Sequence, residues 1–502
     1  MTIDFHRVST QISIPQSFFL WCHFMPQVEC SAVFPTFSTD PEAQMNHRMI
    51  LKTTGKIVLI ESAMLALPAI ACIFYLEWRA LVCFIIAAAV AGAIGASLVL
   101  FSKPRNSAIY VREGFVTVSL AWTVLSLIGA LPFYISREIP SYIDALFETV
   151  SGFTTTGASI LTNVEAMGHG MLLWRSFTHW IGGMGVLVLM MAIVPTESGR
   201  SIHIMRAEMP GPIVGKLVPR IRDTAKILYL IYIAMTVAQT ILLLCGGMPL
   251  FDSLLHSFGT AGTGGFGIKA DSIAGYSPYC QWVITVFMLL FGINFNLYYL
   301  VLIKRFRTAA KSGELHAYIG IVLAATAAIT LNILRLCSGF GEALRLAAFQ
   351  VASIITTTGY ATADFNLWPG FSKAVIFILM FVGGCAGSTA GGLKVSRVVL
   401  LYKMIRNNLR RMLHPRAVSR VRHEGETVED STLSEVNAYF ALYMLILAAV
   451  FLLLSFEPFD LETNLSAVVS CLNNVGPGLG AVGPASSYAA YSAPATLLLT
   501  VT

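Results

Sequence analysis

Charge is scarce in this 502-residue chain: Asp, Glu, Lys and Arg together make up 12% of it. A soluble domain carries about twice that share. With 56% hydrophobic residues and a mean hydropathy of +0.72, the chain reads as a polytopic α-helical membrane protein. Nine cysteines are present but none pair as CxxC, and most lie in apolar runs, so they read as buried, inert thiols. Ten histidines show neither HxxxH nor HExxH spacing, which argues against a catalytic metal centre. No cluster of His, Asp or Ser in the apolar runs would serve an intramembrane hydrolase or lipid transferase, so the chain reads as a non-enzyme. Gly387–Lys394 lacks the Gly-Lys-Ser/Thr ending of a phosphate loop. Two GxGxxG strings, at 262–267 and 478–483, neither follow a strand nor open a soluble βαβ unit. The net charge of +6 sits in particular loops and carries topology; it does not point to nucleic acid.

Residues 1–44 hold Pro15, Pro26, Pro35 and Pro41 and no long apolar run, and lack the ordered parts of a signal peptide. They read as an irregular extension, with Met45 as the expected natural start.

What is present is a repeat. Four short polar loops interrupt the apolar chain: Gly152–Ser159, Thr260–Phe266, Ile355–Tyr360 and Cys471–Pro477. Each follows a short half-apolar run and precedes a long one. The pattern is span, half-helix, polar loop, span, with a period of about 100 residues. The expected spans are Ile57–Tyr75 and Leu81–Phe101, then Phe115–Ser136, Met171–Pro195, Ile227–Gly247, Gln281–Ile303, His316–Leu334, Val375–Leu401 and Tyr439–Phe456. The expected units are 1–44 (extension), 45–105 (helix hairpin), 106–200, 201–308, 309–415 with a broken inner helix, and 416–502. Aligning the loops pairs Gly157, Gly264, Gly359 and Gly476.

Lys/Arg-rich stretches at 200–226, 304–311 and 397–422 all fall between one unit and the next, and Lys52, Lys56, Lys103 and Arg105 flank the N-terminal pair. The positive-inside rule makes these cytoplasmic and opens every polar loop to the outside. Non-helical backbone at membrane depth is tolerated only where it lines water or a site. Four such loops sharing an axis could replace an ion's hydration shell with carbonyls. Half-helices ending there direct negative dipole ends at a cation. Asp271 and Asp364 would concentrate cations at the mouth.

These loops, Trp180–Gly185 and Gly383–Arg397 together resemble the TrkH/TrkG/KtrB superfamily of potassium uptake proteins, over residues 45–502 and most closely the TrkH type. The resemblance implies an all-α integral membrane fold with four pseudo-fourfold repeats around one pore, plus an N-terminal helix pair, in the bacterial inner membrane. It implies a K⁺ filter of Thr155, Thr156 and Gly157; Gly262, Thr263 and Gly264; Thr357, Thr358 and Gly359; and Asn474, Val475 and Gly476. Glycine at all four aligned positions implies K⁺ over Na⁺, since a Ser at the first goes with sodium selectivity in related plant transporters. It implies a gate within Gly383–Gly392, comprising Gly383, Gly384, Gly387, Ser388, Thr389, Gly391 and Gly392. No cofactor is implied, and K⁺ at the filter is substrate, moving down its gradient with or without a coupled proton. The implied partners are a second copy and a cytosolic TrkA-type nucleotide-binding ring. The family also carries a Gly-Arg-Leu-Glu run in its last inner helix. Here that helix is expected from about Ser486 and the chain stops at Thr502, so a truncated copy is expected. A sodium-dependent KtrB-type transporter and a non-conducting remnant are the alternatives.

Among single residues, Glu61 is expected to snorkel or pair with a helix, and Glu148 to act as a structural hydrogen-bond acceptor. Arg175 and His179 are expected as interfacial or buried structural partners, and Asn294 and Asn296 as bridges between helices.

Overall fold

The computed structural model describes residues 45–102, 111–185, 221–414, 420–424 and 426–502. Residues 1–44, the Lys103/Arg105 loop, the 186–195 end of the expected span Met171–Pro195, the 200–220 part of the 200–226 basic stretch and Arg416 lie outside the described residues.

The N-terminal pair is α1 (His47–Met64) continued by α2 (Ala66–Phe74), then α3 (Trp78–Phe101). The two arms touch where both lack side chains: a Cβ on Gly55 would lie 3.0 Å from the Gly95 carbonyl, and one on Gly95 2.9 Å from the Gly55 carbonyl. Glu61 neither snorkels nor pairs with a helix. It is buried, and neither carboxyl oxygen has a hydrogen-bond partner among the described residues.

The four repeats follow. The first is α4 (Val111–Gly129) with α5 (Leu131–Ser136), half-helix α6 (Tyr142–Phe153) and inner helix α7 (His169–Gly183). The second is α8 (Ile221–Cys245), half-helix α9 (Leu250–Gly262), and α10 (Pro278–Phe291) with α11 (Phe295–Leu302), then a short α12 (Phe306–Ala310). The third is α13 (Gly313–Ile333), half-helix α14 (Phe340–Ile355), and α15 (Gly370–Val382) with α16 (Val395–Leu413). The fourth is α17 (Asp430–Leu454), half-helix α18 (Leu461–Asn473) and α19 (Ala493–Val501). Helix starts follow ordinary capping chemistry. Ser141, Ser277, Ser312, Asp460 and Ser492 each accept a backbone N–H two or three residues into their helix.

Among the described residues six helices are long and apolar enough to cross a membrane, or seven if the bent pair α10–α11 is one span. Large apolar side chains face outward along them, such as Leu323, Leu445 and Leu452. Exposure of that kind suits lipid and would be costly in water.

Three expectations need correction. The run Gln281–Ile303 is not a straight span: α10 and α11 meet at 91° around Gly292–Asn294. The basic stretch after Val375–Leu401 is mostly helix, because α16 carries Arg397, Lys403, Arg406, Arg410 and Arg411 to Leu413. A short two-stranded hairpin, β1 (Arg422–His423) and β2 (Glu426–Thr427), follows it in the otherwise helical fold. The last helix starts at Ala493, not Ser486; the residues between hold a 3₁₀ turn at Tyr488–Ala490 and extended backbone.

Candidate ion filter and gate

The four polar loops are built alike at the level of single bonds. Each half-helix ends on a residue in the left-handed region: Thr155 (φ 57°), Thr263 (54°), Thr357 (55°) and Asn474 (58°). The N–H of each donates to the carbonyl three residues back, at 3.0–3.2 Å, and the next N–H donates five residues back, at 2.8–2.9 Å. Two residues after the left-handed position comes a glycine of positive φ: Gly157 (77°), Gly265 (71°), Gly359 (84°) and Gly476 (96°). A threonine at positive φ costs roughly 1–3 kcal/mol, so surrounding packing must hold it there.

This geometry corrects the alignment of the second loop by one residue. Gly265, not Gly264, stands where Gly157, Gly359 and Gly476 stand. The carbonyl pair equivalent to Thr155/Thr156 is Thr263/Gly264, and Gly262 is the last residue of α9.

The loops close a ring. A Cβ added to Gly157 would collide with the Gly264 carbonyl oxygen, one on Gly265 with that of Thr358, and one on Gly359 with that of Val475. One on Gly476 would lie 2.9 Å from the Thr156 oxygen. Each wall thus presses its glycine against the next wall's carbonyl, in the order one, two, three, four, one. Only glycine permits that approach together with that φ.

The supports behind the walls differ. Behind the first, the buried Glu148 carboxylate accepts from Ser159 Oγ (3.0 Å), Ile160 N (2.9 Å) and Arg175 Nε (2.5 Å). Arg175 continues to the Gly267 carbonyl at 2.7 Å and lies over the Phe266 ring at 3.6 Å, tying the first wall to the second. The His179 ring stacks on Phe266 with centroids 4.0 Å apart, against the back of Gly264. Both Arg175 and His179 are buried, and Glu148 has the structural role expected. Ser353 Oγ donates to the Tyr360 carbonyl at 2.6 Å, while the Tyr360 hydroxyl donates to the His256 carbonyl at 3.3 Å. Ser470 Oγ and Tyr488 OH both donate to the Gly476 carbonyl, at 2.7 and 2.8 Å. Asn474 Nδ2 bridges to Thr156 Oγ1 at 2.9 Å, joining the fourth wall to the first.

A cavity of about 370 Å³ lies on the outer side, lined by the four positive-φ glycines with Arg175, Lys269 and Tyr488. Asp271 and Asp364 are outside that lining, and Asp364 instead caps a turn through Asn366 N (2.9 Å). The charged side chains at this cavity are therefore basic, contrary to expectation, with Arg175 neutralised by Glu148.

A second cavity, of about 360 Å³, lies on the inner side of the ring between Thr155, Asn473, Asn474 and residues 387–392. Its floor is the break between α15 and α16, where Gly383, Gly387, Gly392 and Lys394 take φ of 71–73°. Gly391 N donates to Thr357 Oγ1 at 2.6 Å, so this loop touches the ring directly. Its other side fits the kink in the second repeat. Cys385 N donates to the Gly292 carbonyl (2.9 Å), Phe295 N to the Gly387 carbonyl (3.0 Å), and Thr389 Oγ1 to the Phe291 carbonyl (3.2 Å). A Cβ on Gly384 would lie 3.0 Å from the Gly292 carbonyl oxygen, and Ser388 Oγ closes the loop on the Cys385 carbonyl at 2.6 Å. The buried Lys394 ammonium donates to the Ala390 carbonyl. The kink was missed in the sequence. Its available signal was Gly292 with Asn294, which caps α11 through Asn296 N (2.9 Å) and whose side chain lies against Gly387 of the third repeat's break.

The sequence profile of the TrkH family, described as cation transport proteins, matches residues 81–318 and 338–502. The chain belongs to the TrkH family. Among curated members, the Trk system potassium uptake protein TrkH of Salmonella typhimurium is 37% identical over 446 residues, covering 87% of this chain and 92% of its own. TrkG of Escherichia coli is 32% identical over 447 residues, covering 88% and 91%. The crystal structure of the potassium transporter TrkH from Vibrio parahaemolyticus superimposes with a TM-score of 0.81 at 32% identity, covering 91% of this chain and 95% of that one. The chain is thus a multi-pass membrane protein of the TrkH fold.

Proposed function

We propose that this chain takes up potassium ions across the bacterial inner membrane through the ring of four loops. The observation that carries the reading is the closed contact of Thr156, Gly264, Thr358 and Val475 carbonyls with Gly476, Gly157, Gly265 and Gly359. Backbone oxygens held at that spacing can replace the water around a cation. Four half-helix C-termini converge behind them and favour positive charge. The ion is substrate, held at this ring. Entry down the membrane potential is favoured by about 2.3 kcal/mol per 100 mV for each charge.

The loop 383–394 serves as the gate, because it lies between the inner cavity and the kink and bonds to the ring itself. The naming of its relatives as potassium uptake proteins supports potassium as cargo and transport as the activity, rather than catalysis. A homodimer docked on a cytosolic TrkA-type nucleotide-binding ring fits the basic face of α16, with Arg406, Arg410 and Arg411, and the hairpin with Arg420 and Arg422. The N-terminal pair disfavours the shorter KtrB type.

The test is growth of a potassium-uptake-deficient bacterial strain at low K⁺, with ⁸⁶Rb⁺ uptake into proteoliposomes. Rescue and saturable Rb⁺ uptake that excess Na⁺ does not displace are expected. Absence of both at normal membrane expression would refute the reading.

A further inference from the structure

The gate loop is held from the cytoplasmic side as well as from the kink. Glu314 stands in the first turn of α13 and is buried. One of its oxygens accepts two N–H groups, from Ala386 at 2.7 Å and Ser396 at 3.1 Å. Ala386 is inside the loop and Ser396 opens α16, so one carboxylate pins the loop and its exit together. Glu314 is itself held. Glu424, 110 residues later, accepts the Glu314 N–H at 2.9 Å and Ser312 Oγ at 3.2 Å.

Glu424 occupies the turn of the β1–β2 hairpin with φ 51°. That position suits Asn or Gly far better than Glu. The helix has a cap without it, since Ser312 Oγ accepts the Leu315 N–H at 3.3 Å. The hairpin is fastened rather than loose: Val421 packs with Leu400 of α16 and Val436 of α17, with Val428 against them. Glu424 itself is exposed, so a cytosolic protein can reach it.

We infer that Glu314 is the positioning residue that holds the gate loop in place, and that the hairpin is the lever acting on it through Glu424. The inference rests on the reading of 383–394 as the gate. A displacement of the hairpin removes an acceptor from the start of α13, moves Glu314, and frees the Ala386 and Ser396 N–H groups together.

The test combines hydrogen–deuterium exchange, read by mass spectrometry on the full chain in lipid nanodiscs, with ⁸⁶Rb⁺ uptake by proteoliposomes without any cytosolic partner. Glu314→Ala is expected to speed exchange across 385–396 by about tenfold, the loss of a charge-assisted acceptor. Partner-free uptake should rise several-fold with Rb⁺-over-Na⁺ preference unchanged. Glu424→Asn fits the turn better but is one carbon too short to reach α13. It should raise exchange at 312–316 and also, by about threefold, at 385–396. Faster exchange confined to 312–316 would make Glu424 a local cap and overturn the lever. Unchanged exchange at 385–396 in Glu314→Ala would overturn the whole inference. If wild-type protein takes up no Rb⁺, the potassium reading fails, and the exchange data alone judge the latch.

Discussion

Gly264 and Gly265 are neighbours with opposite expected roles, and exchanging each for serine tests the ring directly. Gly265 has φ 71°, and a Cβ there would strike the Thr358 carbonyl oxygen inside the ring. An L-residue at that φ costs about 1–2 kcal/mol, and relieving the collision requires moving a carbonyl proposed to face the ion. A loss of about 1.4 kcal/mol in K⁺ discrimination is a tenfold loss of preference. Gly264 lacks the positive φ, and its Cβ would meet the His179 ring at the back of the wall, 2.5 Å from Nδ1. Overpacking of this sort costs about 1–3 kcal/mol of stability without entering the ion path. Gly265→Ser should therefore lose about tenfold in Rb⁺-over-Na⁺ preference, while Gly264→Ser mainly lowers the melting temperature in detergent. The assay is ⁸⁶Rb⁺ uptake into proteoliposomes against rising Na⁺, paired with thermal melts. Selectivity lost in Gly264→Ser and kept in Gly265→Ser would refute the register and restore the alignment read from the letters alone.

Other consequences follow from the supports. Glu148 and Arg175 are both buried, so Arg175→Ala should cost about 3–5 kcal/mol by stranding a carboxylate, whereas the double change Glu148→Gln, Arg175→Met should recover much of it; thermal melts decide. Thr389→Val removes a bond to the Phe291 carbonyl, about 1 kcal/mol, and should raise partner-free Rb⁺ uptake about fivefold; unchanged uptake would remove the kink as the gate's seat. On the outer face, burial would raise the Glu77 carboxyl, but N–H donation from Gly170 and His169 and the His169 ring outweigh it and hold the group below its ordinary value. The resulting stabilisation is present above the unfolded value, about 4.3, and lost as pH falls through the lower folded value. Melting temperature should thus fall more steeply below about pH 4.5 in wild type than in Glu77→Gln; parallel curves would refute the clasp.

The repeat was legible because its chemistry is rare in an apolar chain: Thr and Gly strings at a spacing of about 100 residues. The half-helices were legible because their apolar runs are too short to span. The register of the second wall was not. Gly262-Thr263-Gly264-Gly265-Phe266-Gly267 offers several glycines, and matching letters to Thr156-Gly157 selects Gly264. What fixes the register is the left-handed Thr263, a conformation that threonine's branched side chain disfavours and propensity would not assign. The kink at Gly292–Asn294 was hidden for a different reason. The run around it is apolar and long enough to span, and its backbone groups are satisfied by Cys385 and Gly387, about 90 residues away in sequence. The Glu314–Glu424 bond is equally non-local, from the backbone N–H of one residue to a carboxylate 110 residues later that no local pattern would bring there.

The backbone of the ring repeats four times, while the groups behind it differ from wall to wall, apart from a half-helix serine shared by the third and fourth, Ser353 and Ser470. The bonds that shape the filter, from the left-handed residue to its glycine, recur in every repeat. The groups that hold them are an ion pair in the first wall, an aromatic stack in the second, a tyrosine anchored on a half-helix in the third and a paired serine and tyrosine in the fourth. On the proposed reading ion preference belongs to the shared backbone, and substitution of any one support should lower stability before it alters selectivity. Gating cannot be shared in the same way. Among the described residues the inner helix breaks only in the second and third repeats, and the two breaks interlock through Gly292, Cys385, Gly387 and Phe295. Opening should then be a movement of the third repeat's loop out of the second repeat's kink, with the first and fourth walls standing still.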